Sequence, residues 1–189
     1  MTTSLHTADT FLPAIARGDA TAFEALYDRY ASMIYGLLLR ILANPDDAQE
    51  VLQETFVKAW SNAKMFDAVR GSEAAWLISI ARSRGIDKLR SRRLRSDREN
   101  DAGREVSIHS SFVDTKTGAD HAIQSETRTA VRGALAELPD AQRLALELAY
   151  FEGLSQSEIA SRLNEPLGTI KTRMQLGMKK LRERLQAHH

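Results

Sequence analysis

Residues 153–173 read GLSQSEIASRLNEPLGTIKTR, and this stretch decides the fold. Ser155 and Glu158 stand three apart just before Ile159 and Ala160. That is the spacing of a capping box, in which each side chain satisfies a backbone N–H near the other. Asn164 to Gly168 reads as a turn, and Thr169 opens a final helix. Two short helices joined by a tight turn form a helix-turn-helix, whose second helix enters the DNA major groove. Recognition helices read base edges near their N-terminal end. Lys171, Thr172 and Gln175 share a face there. Lysine can donate to guanine, glutamine can pair with adenine, and threonine can offer its methyl to thymine. Arg173 and Lys179 suit phosphates. The same outward face carries Arg182, and the inward stripe is read as Ile170, Met174, Met178, Leu181 and Leu185.

Upstream, Val131, Leu135 and Leu138 precede Pro139, a residue suited to the first turn of a helix. Leu144, Leu148 and Phe151 continue that helix, and Gly153 ends it. The stretch from Arg92 to Ser125 is polar and unpatterned, and its middle reads as a flexible linker, in which Ile108, Phe112 and Val113 leave room for a short helix or docked segment.

The first half is patterned throughout at helical spacing. Asp19 can cap a helix carrying Phe23, Leu26, Tyr27, Tyr30, Ile34, Leu37, Leu38 and Ile41. Asn44-Pro45 breaks it. Asp46 and Gln49 resemble a second capping box, ahead of a stripe of Val51, Leu52, Thr55, Phe56, Ala59 and Trp60. Asp67 to Gly71 reads as a loop. Ser72 can cap a third long helix with Trp76, Leu77, Ile80, Ala81 and Leu89 inward, and Thr10 to Arg17 can add a short leading helix. No strand alternation appears. The expected fold is all-α: two small helical domains joined by a flexible linker, with boundaries at 1–95, 96–124 and 125–189.

Net charge is +1 over 189 residues, but it is unevenly spread. Arg82 to Arg98 holds eight basic residues against two acidic, and Arg162 to Arg184 holds seven against two. The rest of the chain is correspondingly acidic. Two basic patches on an acidic body point to two polyanion contacts. With no cysteine there is no disulfide, thiolate metal site or cysteine nucleophile. The five histidines are scattered, without metal-ligand spacing. No phosphate-cradling glycine loop is present. No cofactor, metal or catalytic residue is therefore expected, and the chain is not expected to be an enzyme. No apolar run is long enough to span a membrane, and the first nine residues do not read as a secretory signal. A free-standing DNA-binding regulator is the main competing function at this point.

Three motifs carry a family resemblance. The first is Tyr27-Asp28-Arg29-Tyr30 with Asp46 through Phe56. The second is Phe66-Asp67, Arg70-Gly71, Ala75 through Arg82, and Ile86-Asp87. The third is Leu138-Pro139, Gln142-Arg143, Glu152 through Ser155, Glu158-Ile159-Ala160 and Gly168 through Arg173. In this order the chain resembles a bacterial RNA polymerase sigma factor of the extracytoplasmic-function group (group IV). The resemblance implies that the first domain is region two and the last is region four. It implies that the helix from Asp46 to Trp60 binds the β′ clamp helices of core RNA polymerase, through Asp47, Glu50, Gln53 and Glu54. It implies that the loop Phe66 to Ser72, with Phe66, Asp67 and Arg70, opens minus-ten promoter DNA together with Arg82, Ser83, Ile86, Asp87 and Arg90, holding an extruded base. Lys171, Thr172, Arg173, Gln175 and Lys179 would read the minus-thirty-five element, and region four would touch the β flap. A stress signal and an anti-sigma partner are implied too. The chain would be cytoplasmic, without inserting into the membrane itself, although such a partner often sits there.

The sequence departs from the family pattern at Leu176-Gly177-Met178, where relatives often carry arginines or other polar residues. Gly177 costs about 1 kcal/mol of helix propensity relative to alanine. Either the final helix packs closely on a neighbour at Gly177, or upstream binding is weaker than usual.

Overall fold

A computed structural model describes residues 10–99 and 131–186. Among these residues there are helices and turns but no strand. The chain divides into two compact units, Met1–Thr117 and Gly118–His189. The segment read as a linker lies outside the described residues except for 96–99, which continue a helix.

The first unit packs α1 (Leu12–Ile15), α2 (Ala20–Leu42), α3 (Pro45–Asn62) and α4 (Glu73–Glu99), with a 3-10 turn at Ala63–Met65. Asp19 caps α2 by accepting the Ala22 N–H at 3.1 Å. Ala43 ends α2 in the left-handed conformation, at φ 50°. The cap of α3 is Asn44, not Asp46: its side chain accepts the Asp47 N–H at 2.9 Å. The physical reason is Pro45, which has no N–H and sits at the first helical position without loss. Asp46 and Asp47 then lie in the first turn, where the helix dipole favours acids. Ser72 caps α4, accepting the Ala75 N–H at 3.2 Å.

The core of this unit is the seam of α2, α3 and α4. Leu26, Ile34, Leu38, Leu42, Val51, Leu77 and Ala81 are all but fully buried. Burying such an aliphatic side chain contributes about 1.5–3 kcal/mol. The inward stripe of α4 is Leu77, Ala81, Gly85 and Leu89, joined by Ile86. At Gly85 an added Cβ would stand 3.1 Å from Leu38 Cδ2, so α2 and α4 approach closely there. Trp76 and Ile80 are only half-buried. They belong to the opposite stripe, running 76, 80, 83, 87, 90 and 94, which corrects their assignment to the core. Trp60 is also partly exposed, stacking edge-on against Phe23 at 5.1 Å.

The second unit consists of α5 (131–136), α6 (Asp140–Phe151), α7 (Gln156–Leu163) and α8 (Leu167–Gln186). The capping box forms as its spacing requires. Ser155 Oγ accepts the Glu158 N–H, and Glu158 Oε2 accepts the Ser155 N–H at 2.7 Å. Gly153 turns the chain between α6 and α7 at φ 64°, a conformation costly for a residue with Cβ. α8 starts at Leu167 rather than Thr169, because the Pro166 carbonyl already accepts from Thr169 and Ile170. Leu148, Ile159, Ala160 and Ile170 form the core, with Leu144, Leu154, Leu163 and Met174 against it.

Gly177 is buried, while Met178 is half exposed, reversing the expected inward stripe. An added Cβ at Gly177 would meet Leu146 Cδ1 at 2.9 Å and Gln142 Cβ at 3.5 Å. Close packing is therefore the reason for the glycine. Gly177→Val is expected to destabilise the second unit by about 2 kcal/mol through overpacking. Both tryptophans, Trp60 and Trp76, lie in the first unit. Their fluorescence melt should stay unshifted while circular dichroism gains an earlier transition. An unchanged dichroism melt would refute the packing account.

Candidate nucleic-acid interfaces

Three surfaces carry the residues singled out in the sequence. The first is the solvent face of α3. Asp47, Glu50 and Glu54 recur at three- and four-residue steps, so helical geometry puts them in one line. Glu50, Gln53 and Glu54 are exposed, and Asp47 is half-buried. The three acids meet a matching line on α4, where Arg84, Lys88 and Arg92 recur every four residues. Lys88 Nζ lies 2.6 Å from Glu50 Oε2 and 3.5 Å from Asp47 Oδ1. Arg92 Nη1 lies 3.1 Å from Asp47 Oδ2, and Arg84 Nη1 lies 3.7 Å from Glu54 Oε2. The Lys88 ammonium is held above its ordinary range by its hydrogen bond to Glu50, with the charges of Glu50 and Asp47 adding. These exposed pairs contribute little stability each, about 0–1 kcal/mol. Their effect is to align and partly neutralise the acidic line. Val57, exposed at 65 %, extends the line by one more step. Sequence reasoning missed Val57 and counted Arg84, Lys88 and Arg92 only in the basic patch read as a polyanion contact. The periodicity of the basic line was visible, but its pairing with α3 requires the tertiary contact.

The second surface joins the loop 66–72 to α4. Asp67 organises the loop from within: its Oδ1 accepts the Val69 N–H at 3.0 Å, and its carbonyl accepts the Arg70 N–H at 3.0 Å. The Arg70 side chain is 87 % exposed, 3.9 Å from Asp67 Oδ2, and Val69 stands fully out in solvent at the tip. Phe66 packs edge-on against Trp76, ring centroids 5.8 Å apart. Ser83, Asp87 and Arg90 are exposed on the stripe that begins at Trp76, and Arg82 is half-buried beside it. Ile86 differs. It is 5 % exposed and packs in the core, so it supports this face instead of forming part of it. The aromatic pair, the open loop and the basic helix face lie side by side, an arrangement suited to single-stranded bases.

The third surface is the start of α8. Lys171, Thr172 and Gln175 are exposed in its first two turns, and Lys179 and Arg182 follow. The Thr172 hydroxyl donates to the Gly168 carbonyl at 2.9 Å, one turn back along the helix. Arg173 is drawn back to the turn, with Nη2 2.9 Å from Glu165 Oε1. This pair ties the start of α8 to the turn before it. Arg162 similarly ties α7 to Glu152 after α6, at 2.5 Å. Among the described residues no acidic or histidine cluster could hold a metal, and no helix is long and apolar enough to cross a membrane.

Comparison with known proteins matches both units to one family. Sigma-70 region 2 matches residues 26–95, and Sigma-70, region 4 matches residues 128–181. The chain is 37 % identical over 176 residues to the ECF RNA polymerase sigma factor SigK of Mycolicibacterium vanbaalenii, covering 93 % of this chain and 87 % of that one. It is 37 % identical over 180 residues to SigK of Mycobacterium ulcerans, covering 95 % and 94 %. Among solved structures, Rhodobacter sphaeroides SigE in complex with the anti-sigma ChrR is 31 % identical with a TM-score of 0.46, covering 92 % of this chain and 94 % of that one.

Proposed function

Because the chain belongs to the Sigma-70 family, in its extracytoplasmic-function (ECF) branch, we propose a division of labour among its three surfaces. The chain is a sigma factor: it binds core RNA polymerase and directs transcription initiation at specific promoters, under anti-sigma control. In our reading, the acidic line of Asp47, Glu50, Gln53 and Glu54 docks on the β′ clamp helices, with Val57 as its apolar contact. The loop 66–72 and the α4 face with Arg82, Ser83, Asp87 and Arg90 open the minus-ten element, and Trp76 with Phe66 offers a stacking surface beside it. Lys171, Thr172 and Gln175 read the minus-thirty-five element while Lys179 holds phosphate, and region four touches the β flap. Positions 1–95 and 125–189 act as the two working domains, joined by 96–124.

The carrying observation is that separate helix faces hold an acidic line, an aromatic and basic surface beside an open loop, and an exposed polar helix start. A free-standing regulator needs only the last. The chain acts by binding, without covalent chemistry and without a cofactor. It works in the cytoplasm, and its anti-sigma partner, answering a stress signal, covers the α3 line or wedges between the domains and can hold the chain at the membrane. Runoff transcription with purified core polymerase tests the reading. Initiation from cognate promoters should depend on added chain; initiation that does not would favour the stand-alone regulator.

A further inference from the structure

Glu73 is the first residue of α4 and immediately follows the loop 66–72. It is 3 % exposed, deeply buried for a carboxylate. Its Oε1 accepts the Leu12 N–H at 2.6 Å. Burial pushes its pKa up, against the Leu12 N–H bond, the nearby Phe11 N–H and the charge of Arg29. Arg29 in turn lies over the Phe11 ring, 5.6 Å from its centroid. An acid in the first turn of a helix normally sits in water and complements the dipole. This one is withdrawn to hold another helix.

That helix is α1. Leu12 and Ile15 are buried, and α1 packs against α2 and against the 3-10 turn Ala63–Met65. The 3-10 turn leads into the loop at Phe66, and Glu73 leads out of it. α1 therefore touches the chain on both sides of the loop. We propose that Glu73 is a positioning residue for promoter melting: by binding the start of α1, it makes α1 a brace that fixes the two ends of the loop 66–72. This rests on the reading of that loop as a minus-ten surface. A loop whose ends are fixed loses less conformational entropy when it captures an unpaired base, so the brace should favour opening without touching DNA.

The test uses full-length chain with core polymerase on a promoter carrying 2-aminopurine in the minus-ten non-template strand. Glu73→Ala removes the acceptor and leaves the Leu12 N–H without it. It should slow opening about tenfold. Core affinity should be unchanged, and Glu73→Gln, which keeps an acceptor oxygen, should recover most of the rate. On a promoter already unpaired at the minus-ten element, Glu73→Ala should initiate normally. Opening at the wild-type rate, an equal loss of core affinity, or a defect that persists on unpaired DNA would each overturn the proposal. If Glu73→Ala does not fold, Leu12→Ala loosens the brace with Glu73 in place and is read in the same assay. Failure of both to fold would make Glu73 a folding residue and also refute it. Phe66→Ala separates the premise: a normal opening rate there overturns the loop assignment itself.

Discussion

Replacing Glu50 and Glu54 together by arginine is expected to weaken binding to core RNA polymerase by about 100-fold or more. Both side chains are about half exposed, so substitution does not disturb the core. In our reading the native pair attracts a basic partner surface while Lys88 and Arg84 screen it. Reversal turns the line cationic, and the two new charges join Lys88 and Arg84 instead of balancing them. A basic partner then meets like charge, which costs several kcal/mol at close range. Folding should be nearly unaffected, since exposed ion pairs contribute at most about 1 kcal/mol each. Titration of labelled chain with core polymerase gives the affinity, and a thermal melt checks the fold. An affinity within a few-fold of the native chain would remove α3 from the polymerase interface.

Lys171→Ala with Gln175→Ala is expected to reduce upstream-element recognition by about 100-fold, because each good base contact is worth roughly 1–3 kcal/mol. The loss should fall on promoters that depend on the minus-thirty-five element, mapped from transcription starts after overexpression. Core binding should be spared, since neither residue lies on the α3 line proposed to dock on core polymerase. Both side chains are exposed, and the helix start is held independently by the Pro166 carbonyl and the Arg173–Glu165 pair. Equal loss of core binding would sink the assignment.

Most of the helices were legible because their ends are written locally. Asp19, Ser72 and the pair Ser155 and Glu158 each sit where a side-chain oxygen must meet an orphan N–H, and each does so. The misread starts share one cause. Asn44-Pro45 reads as a break and Asn164 to Gly168 as a turn, although a proline fits the start of a helix. The misread faces have another. Periodicity ranks residues by apolarity, so it preferred Met178 to Gly177. Close helix approach selects instead for a small side chain, and a Cβ at 177 would press on Leu146 of α6. Trp76 looked like core because it is large and apolar, yet Phe66 covers one side of it on an outer stripe. Glu73 gave no signal. A glutamate after a serine cap looks solvated, and only the fold brings α1 over it. The same holds for Lys88, whose acidic partners are about forty positions upstream.

The ladder between α3 and α4 also bears on how docking responds to ionic strength. An acidic surface with no intramolecular partners would gain every ion pair on meeting its receptor, and salt would weaken that gain steeply. Here each carboxylate gives up one cation to take another, so the number of charge pairs changes little. Association with core polymerase should then show a shallow dependence on salt concentration. Lys88→Gln, which leaves Glu50 unpaired beforehand, should steepen it. A titration series across salt concentrations would show the difference as a change of slope, and equal slopes would mean that the ladder stays closed in the complex.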